Sequence, residues 1–403
     1  MTNLARRRFL AGSGLIAASA MTPGPARAAQ NLRLRMAYGL PRILTTPFEA
    51  AEAFTARVAE ASDDAIRITL FDRREALVAD ETGADTVSPD DEHEAFEAPE
   101  DRPGLADDDD TPSETAPTAQ DLLEAVGAGR LDMAYLSLDA LYDREPALAF
   151  TGGAPFGLNA RQHQAWWVHG GGRESIDEAL ARHGCIALPC GGGGTPMGGF
   201  YPREITQPDD FTGLRTRITG IGAQVLRELG AEVHDIPLEE TAEAMREGRI
   251  EAAAGFGPVD DEMLDLHRMA RFYHAPAFWQ GSATFYVLVN LRLWEGLSPG
   301  QRGLLGMAAQ STHQDLLARY DHLAAPALRR LVISGIELRY FPQEVMQAGL
   351  AAATRVHDDL ARRDALYERA YRAMLAYRTD ALLWWPVAEL SFDSFMARSR
   401  GEP

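Results

Sequence analysis

Strands alternating with helices along most of the 403 residues, and a helix–glycine–strand passage that occurs twice, predict an α/β fold in two lobes around a cleft, with hinge strands and a helical C-terminal part. The length agrees, because a chain of this size exceeds one ordinary hydrophobic core.

The N-terminus reads as an export signal. Arg6-Arg7-Arg8-Phe9-Leu10 fits the twin-arginine pattern, a short apolar stretch runs from Leu10 to Met21, and Ala26-Arg27-Ala28 offers a small-x-small cleavage site. Residues 1–28 are therefore expected to be removed and the mature protein to work in the periplasm. The apolar part is far shorter than the ~20 residues of a membrane span.

Leu32 to Tyr38 alternates and reads as a strand, Phe48 to Ala61 has helical spacing, and Ala65 to Leu70 is again a strand. From about residue 73 to 118 the chain is rich in Asp, Glu, Pro, Thr and Ala. Too few apolar groups are present to offset the entropy of ordering, so this stretch is expected to be a disordered insertion in lobe I, which otherwise spans 29–155. Its run Asp107-Asp108-Asp109-Asp110 lacks the alternating ligands, mid-loop glycine and closing glutamate of a calcium loop. Residues 156–275 form the expected lobe II. Residues 276–403 supply a strand through Val287 to Asn290 and helices from Ser298 on, with one strand near Ile336 to Tyr340.

The repeat is Glu124 to Ala134 against Glu243 to Ala253. Each copy reads as a helix end, a glycine cap (Gly129, Gly248) and entry into a buried strand, so the lobes share a plan. Cys185 and Cys190 bracket a buried strand. Its ends lie roughly 16 Å apart at ~3.3 Å per residue, too far for an intrachain disulfide.

The formal net charge is −20, with fifteen acids against Arg102 alone between Asp80 and Glu114, and the chain contains no lysine. Such a field excludes nucleic acid as a partner. It suits high salt, or a GC-rich genome that replaces lysine codons.

The stretch from Cys190 to Ile218 carries the most chemistry. A glycine run leads into Thr195-Pro196-Met197-Gly198-Gly199-Phe200-Tyr201, as expected where backbone crowds a bound molecule. Leu214, Thr216 and Ile218 alternate with Arg215 and Arg217, placing both arginines on one strand face. A guanidinium grips a carboxylate with two hydrogen bonds, or else forms a surface ion pair; periodicity alone does not choose between the two arginines or the two roles.

This passage resembles the solute-binding proteins of tripartite ATP-independent periplasmic (TRAP) transporters, in the branch that captures 2-oxoacids and related organic anions. The resemblance extends to Leu141-Tyr142-Asp143-Arg144-Glu145-Pro146, Ala165-Trp166-Trp167, and Ala275-Pro276-Ala277-Phe278-Trp279-Gln280-Gly281, covering most of residues 31–72 and 119–395. It implies the two-lobe Venus-flytrap architecture of periplasmic binding proteins, with the strand through Asn290 returning across the hinge, Arg217 as the carboxylate clamp and Gln280, Pro196 and Gly255 at further ligand-binding positions; Trp279 and Phe200 are expected to line the same site. It also implies a small organic anion as ligand, the membrane subunits of a TRAP transporter as partners, no enzymatic activity and no cofactor. Pairing into a homodimer is open: apolar Leu382-Leu383-Trp384-Trp385 serves that or covers the core.

The chain departs from the family pattern where it holds a metal-bridged substrate. Pro196 stands in place of glutamine, and Ala254 and Gly255 in place of glutamate and tryptophan. With Gln280 the only remaining side-chain oxygen, no metal is expected. The pocket is expected to be larger, with Phe200, Phe256 and Trp279 against the apolar part of a bulkier ligand. Two rival readings are a sensory receptor on the same fold and an exported enzyme. The second is disfavoured because HExxH, Gly-x-Ser-x-Gly and P-loop frames are all absent from the sequence.

Overall fold

A computed structural model describes residues 31–81 and 116–399. The twin-arginine signal peptide and most of the acidic insertion lie outside the described residues. One boundary is corrected: a helix, Arg73–Glu81, follows the second strand where the insertion was expected to begin. Ala76 on it is fully buried in the first core, which gives this helix an apolar anchor.

Eleven strands are described: β1 (Leu32–Tyr38), β2 (Ile66–Asp72), β3 (Met133–Leu136), β4 (Cys185–Gly194), β5 (Gly199–Tyr201), β6 (Arg215–Arg217), β7 (Glu232–His234), β8 (Ala252–Ala253), β9 (Phe272–Ala275), β10 (Ala283–Asn290) and β11 (Glu337–Tyr340). They form a five-stranded sheet in the order β2-β1-β3-β10-β4 and a six-stranded sheet in the order β11-β9-β5-β8-β6-β7. In the first, β1 runs parallel to β2 and β3, and β10 returns antiparallel between β3 and β4. In the second, β8 and β7 flank β6 in parallel, and β5 runs antiparallel to β8 and β9.

β3 and β10 are buried at every position because helices cover both faces of the first sheet. Thr45–Ala61 and Pro299–Ile333 pack one face through Phe54, Val58, Leu305 and Leu316; Ala119–Ala128 and Gly172–Ala181 pack the other through Leu122, Val126, Ile176 and Leu180. The repeat is present in both sheets. Ala119–Ala128 ends at Gly129 (φ 81°) before β3, and Thr241–Arg246 leads to Gly248 (φ 71°) before β8. In each copy an arginine N–H, from Arg130 or Arg249, bonds back to the helix carbonyl of Ala125 or Ala244 at 2.9 Å.

β4 belongs to the first sheet, whereas the sequence places residues 156–275 in lobe II. The apolar stretch from Cys185 to Leu188 completes the second edge of β10, and the chain crosses only after Gly194. The glycine run is also corrected. A β-carbon at Gly191 would lie 2.6 Å from Tyr135 Oη and 2.8 Å from Leu316, and one at Gly192 would lie 3.2 Å from the His313 ring. These glycines admit the 35-residue helix Pro299–Ile333, not a ligand. Gly199 (φ 91°) begins β5 on the far side of the crossing, so close to Ala253 O that a β-carbon would lie at 2.4 Å. Among the described residues the chain passes between the sheets at 194–199, at 275–283 and along the long helix, whose Leu331 enters the second core. Cys185 and Cys190 are free and buried, as their strand spacing requires.

One buried feature carries charge. Asp260 and Asp261, on Pro258–Met263, are fully buried between the lobes' cores. Asp260 Oδ1 accepts from Tyr320 Oη at 3.1 Å, and Asp261 Oδ2 from Tyr273 Oη at 2.5 Å. Burial pushes both carboxyls up to about 7, against those hydrogen bonds. An unfolded Asp titrates near ~3.9, so the folded chain keeps protons the unfolded chain has lost. That favours folding at low pH and is lost as pH rises through about 7. Substituting Asp260→Asn removes one charge while keeping an acceptor for Tyr320. The melting temperature of the variant relative to the parent is expected to rise between pH 5 and pH 8, measured by calorimetry; a pH-independent difference would refute the assignment.

Candidate functional site

The C-terminal ends of the parallel strands of both sheets face one another, which is where open α/β sheets bind ligands. Between them lies a cavity of about 680 Å³. The first sheet contributes Gly39–Pro41 after β1, Arg73 and Arg74 after β2, and Ser137, Asp139 and Ala140 after β3. The second contributes Arg217–Ile221 from β6, Asp235 and Pro237–Glu240 after β7, and Ala254–Phe256 after β8. Trp279 and Gln280 enter from the crossing between β9 and β10.

Strand geometry separates the two arginines. They share a face but stand ~6.6 Å apart along β6. Arg215 faces Glu251 at 3.4 Å with its side chain 40% exposed, away from the cleft. Arg217, at the strand's C-terminal end, lines the cavity. Its Nε donates to the Ile236 carbonyl and its Nη1 to the Ala254 carbonyl, both at 3.2 Å. These bonds fix the plane of the guanidinium and leave Nη2 without a protein acceptor among the described residues. Burial lowers its pKa to about 10, opposed by the charges of Asp235 and Glu239, so Arg217 is a cation throughout the physiological range.

Gln280 and Trp279 also line the cavity, as does Phe256, edge-on to Phe285 at 5.6 Å. Gln280 Nε2 donates to Asp139 Oδ2 at 3.2 Å. Trp279 is nearly buried, packed between Phe278 and Phe341, and presents one side to the cleft.

Three expectations fail on geometry. Phe200 is fully buried, stacked on Tyr273 at 4.1 Å in the second core, because β5 turns that side chain away from the cleft. Pro196 is buried in the crossing, where its carbonyl accepts from Ala277 N at 3.1 Å, and it does not line the cavity. Gly255 lines the cavity but does not open it: a β-carbon there would lie 1.9 Å from Asp261 Oδ1. The absent side chain makes room for a buried acid, not for a bulkier ligand.

Sequence reasoning passed over Asp139. It stands three residues beyond β3, the strand that the first copy of the repeat enters, and a strand's C-terminal end is itself a signal. Ser137 Oγ donates to its Oδ1, and its own N–H and that of Ala140 also face the carboxyl. Burial raises its pKa against these hydrogen bonds. Arg73 and Glu239 were missed because the first falls in the stretch read as disordered. They form an ion pair from one lobe to the other at the cavity's edge, with side-chain exposures of 16% and 34%.

The family model for bacterial extracellular solute-binding protein, family 7 (DctP), matches residues 111–364. A monocarboxylate 2-oxoacid-binding periplasmic protein of Nostoc sp. strain PCC 7120 is 34% identical over 370 residues, which is 92% of this chain and 90% of the relative. The chain belongs to the family 7 extracellular solute-binding proteins. A TRAP transporter solute-binding protein from Bordetella bronchiseptica RB50, a mixed-occupancy dimer with copurified calcium and picolinate, superimposes with a TM-score of 0.79 at 30% identity, covering 92% of this chain and 99% of that one. Two further TRAP binding proteins share the fold at a TM-score of 0.76 over 90% of this chain and 99% of theirs. One, from Colwellia psychrerythraea (20% identical), holds calcium and pyruvate; the other, from Pseudoalteromonas atlantica (22%), holds sodium and pyruvate. This family 7 protein therefore has the two-lobe α/β fold that its sequence predicts.

In a two-lobe trap, an ion pair across the mouth adds to the closed state alone. Glu239→Gln is expected to leave the fold intact and to speed the release of a bound carboxylate by about two- to fivefold, read by stopped-flow tryptophan fluorescence through Trp279. An unchanged release rate would remove this pair from closure.

Proposed function

We propose that this TRAP-type solute-binding protein closes its lobes on an organic anion, seats the ligand's carboxylate on Arg217, and hands it to the membrane subunits of its transporter. The observation that carries the reading is a guanidinium held in plane by two carbonyls on a residue that lines a cavity between the lobes. Gln280 supplies a neutral hydrogen-bonding group, Gly255 and Trp279 form the wall, and Phe256 packs on the apolar part of the ligand. The Nostoc relative's named 2-oxoacid class and the picolinate of the Bordetella protein support a carboxylate as the common element.

Twin-arginine export to the periplasm, non-enzymatic action and a homodimer belong to the same reading. The relatives are binding proteins by name, and the Bordetella protein is a dimer. The apolar C-terminal segment does not cover the core. Leu383, Trp384, Val387, Phe392 and Phe395 are each 64–75% exposed, forming the kind of patch that a second copy buries.

A sodium or calcium bridge fits this site poorly. At 254 and 255 the side chains are a methyl and a hydrogen, the Ala254 carbonyl already accepts from Arg217, and the Gln280 amide N–H is turned to Asp139. A hard cation asks for six or more oxygens.

Two outcomes are expected. In protein dialysed against EDTA, Arg217→Ala weakens carboxylate binding about 10- to 100-fold by calorimetry while the melting temperature of the ligand-free protein stays within a few degrees; unchanged affinity would remove Arg217 from the mechanism. The double substitution Leu383→Glu and Phe392→Glu converts a dimer to a monomer in sedimentation, and a parent protein that is already monomeric would end the pairing proposal.

A further inference from the structure

We propose that Asp139 selects, among carboxylates, those that carry their own hydrogen-bond donor beside the acid group, with a 2-amino or 2-imino acid favoured over a 2-oxoacid. The inference rests on Arg217 as the carboxylate anchor and names what the opposite side of the same cavity reads.

Asp139 and Arg217 line one cavity from different lobes. The acid's surroundings are built to hold it as an acceptor. Ser137 Oγ donates to Oδ1, Gln280 Nε2 donates to Oδ2 at 3.2 Å, and the N–H groups of Asp139 and Ala140 point to the carboxyl. Gly153 stands directly behind it, where a β-carbon would lie 2.6 Å from Oδ2, and Gly220 of the second lobe approaches its carbonyl, with a β-carbon position at 3.4 Å. The carboxylate is thus flanked by glycine and braced by uncharged donors; of these the Gln280 amide stands on the cavity wall, and a ligand donor would take its place at Oδ2.

An ionised carboxylate accepts hydrogen bonds and donates none. A keto oxygen placed against it would set acceptor on acceptor, and a second ligand carboxylate would set like charges together. An ammonium, imino or hydroxyl group would instead complete it, the ammonium with a charge-assisted bond. The rest of the lining points the same way. Four acids (Asp139, Asp235, Glu239, Glu240) face three arginines (Arg73, Arg74, Arg217), and Arg73 is already paired with Glu239. Such a cavity suits a zwitterion better than a bare anion.

The test uses calorimetric titration of the mature protein, dialysed against EDTA, with matched sets: pyruvate, lactate and alanine, then phenylpyruvate, phenyllactate and phenylalanine. The parent is expected to bind at least one amino acid about 10- to 100-fold more tightly than its oxoacid partner, with the hydroxy acid between. Asp139→Asn is expected to remove that preference by weakening the amino acid and tightening the oxoacid, because the amide can donate to a keto oxygen. The ranking by the parent needs no variant, so it decides the matter even if Asp139→Asn fails to fold. Oxoacids binding as tightly as amino acids, or a variant that weakens both equally, overturns the inference and leaves the Arg217 reading standing. Affinity that requires added calcium in the parent and is lost in Asp139→Asn places a cation at Asp139 and also overturns it. If none of the six compounds binds the parent or shifts its melting temperature, the carboxylate reading falls, and this inference with it.

Discussion

The site depends on a positive charge taken out of water without being cancelled. Arg217 gives two of its N–H groups to the carbonyls of Ile236 and Ala254, and its opposite charges, Asp235 and Glu239, act from beyond ion-pair distance. Carbonyl dipoles compensate part of the desolvation and orient the fork, yet leave the net charge to be neutralised by whatever enters. A direct salt bridge would have satisfied the arginine and closed the site to anions. β6 makes this possible because it lies between β7 and β8, whose following residues supply the two carbonyls.

Placing such a group between lobes turns binding into movement. The crossings at 194–199 and 275–283 join the sheets through glycine-bearing backbone, and the helix Pro299–Ile333 packs on β4 and ends in the second core. Contacts that exist only when the lobes meet add selectively to the closed form. Arg73 with Glu239 is one such contact, and a ligand touching Arg217 from one sheet and Asp139 from the other would be a second.

Much of this was readable from residue order. The helix–glycine–strand repeat marked the two sheets, because a left-handed cap and a short apolar strand leave a local signature. The alternation around Arg217 placed it on a strand, and the resemblance chose it over Arg215. The glycine run before β5 was misread because close approach to a helix and close approach to a ligand ask for the same residue; only His313, Leu316 and Tyr135, distant in sequence, tell them apart. Phe200 failed for a related reason. Its neighbours in sequence are at the cleft's hinge, but the facing of a three-residue strand is set by pairing with Tyr273. Asp139 left no periodic trace, since Gln280 and Gly153 meet it only in space.

Gly255 and Asp261 occupy one volume between them. The acid's Oδ1 stands where the first carbon of any side chain at 255 would be, and Tyr273 Oη, donating to Oδ2, holds the carboxyl there. The two positions are therefore locked in epistasis. A larger residue at 255 is tolerated only after 261 has become small, and a small residue at 261 leaves a buried tyrosine hydroxyl stranded. Redesign of this wall has to proceed by paired replacement, with position 273 carried along as the third member.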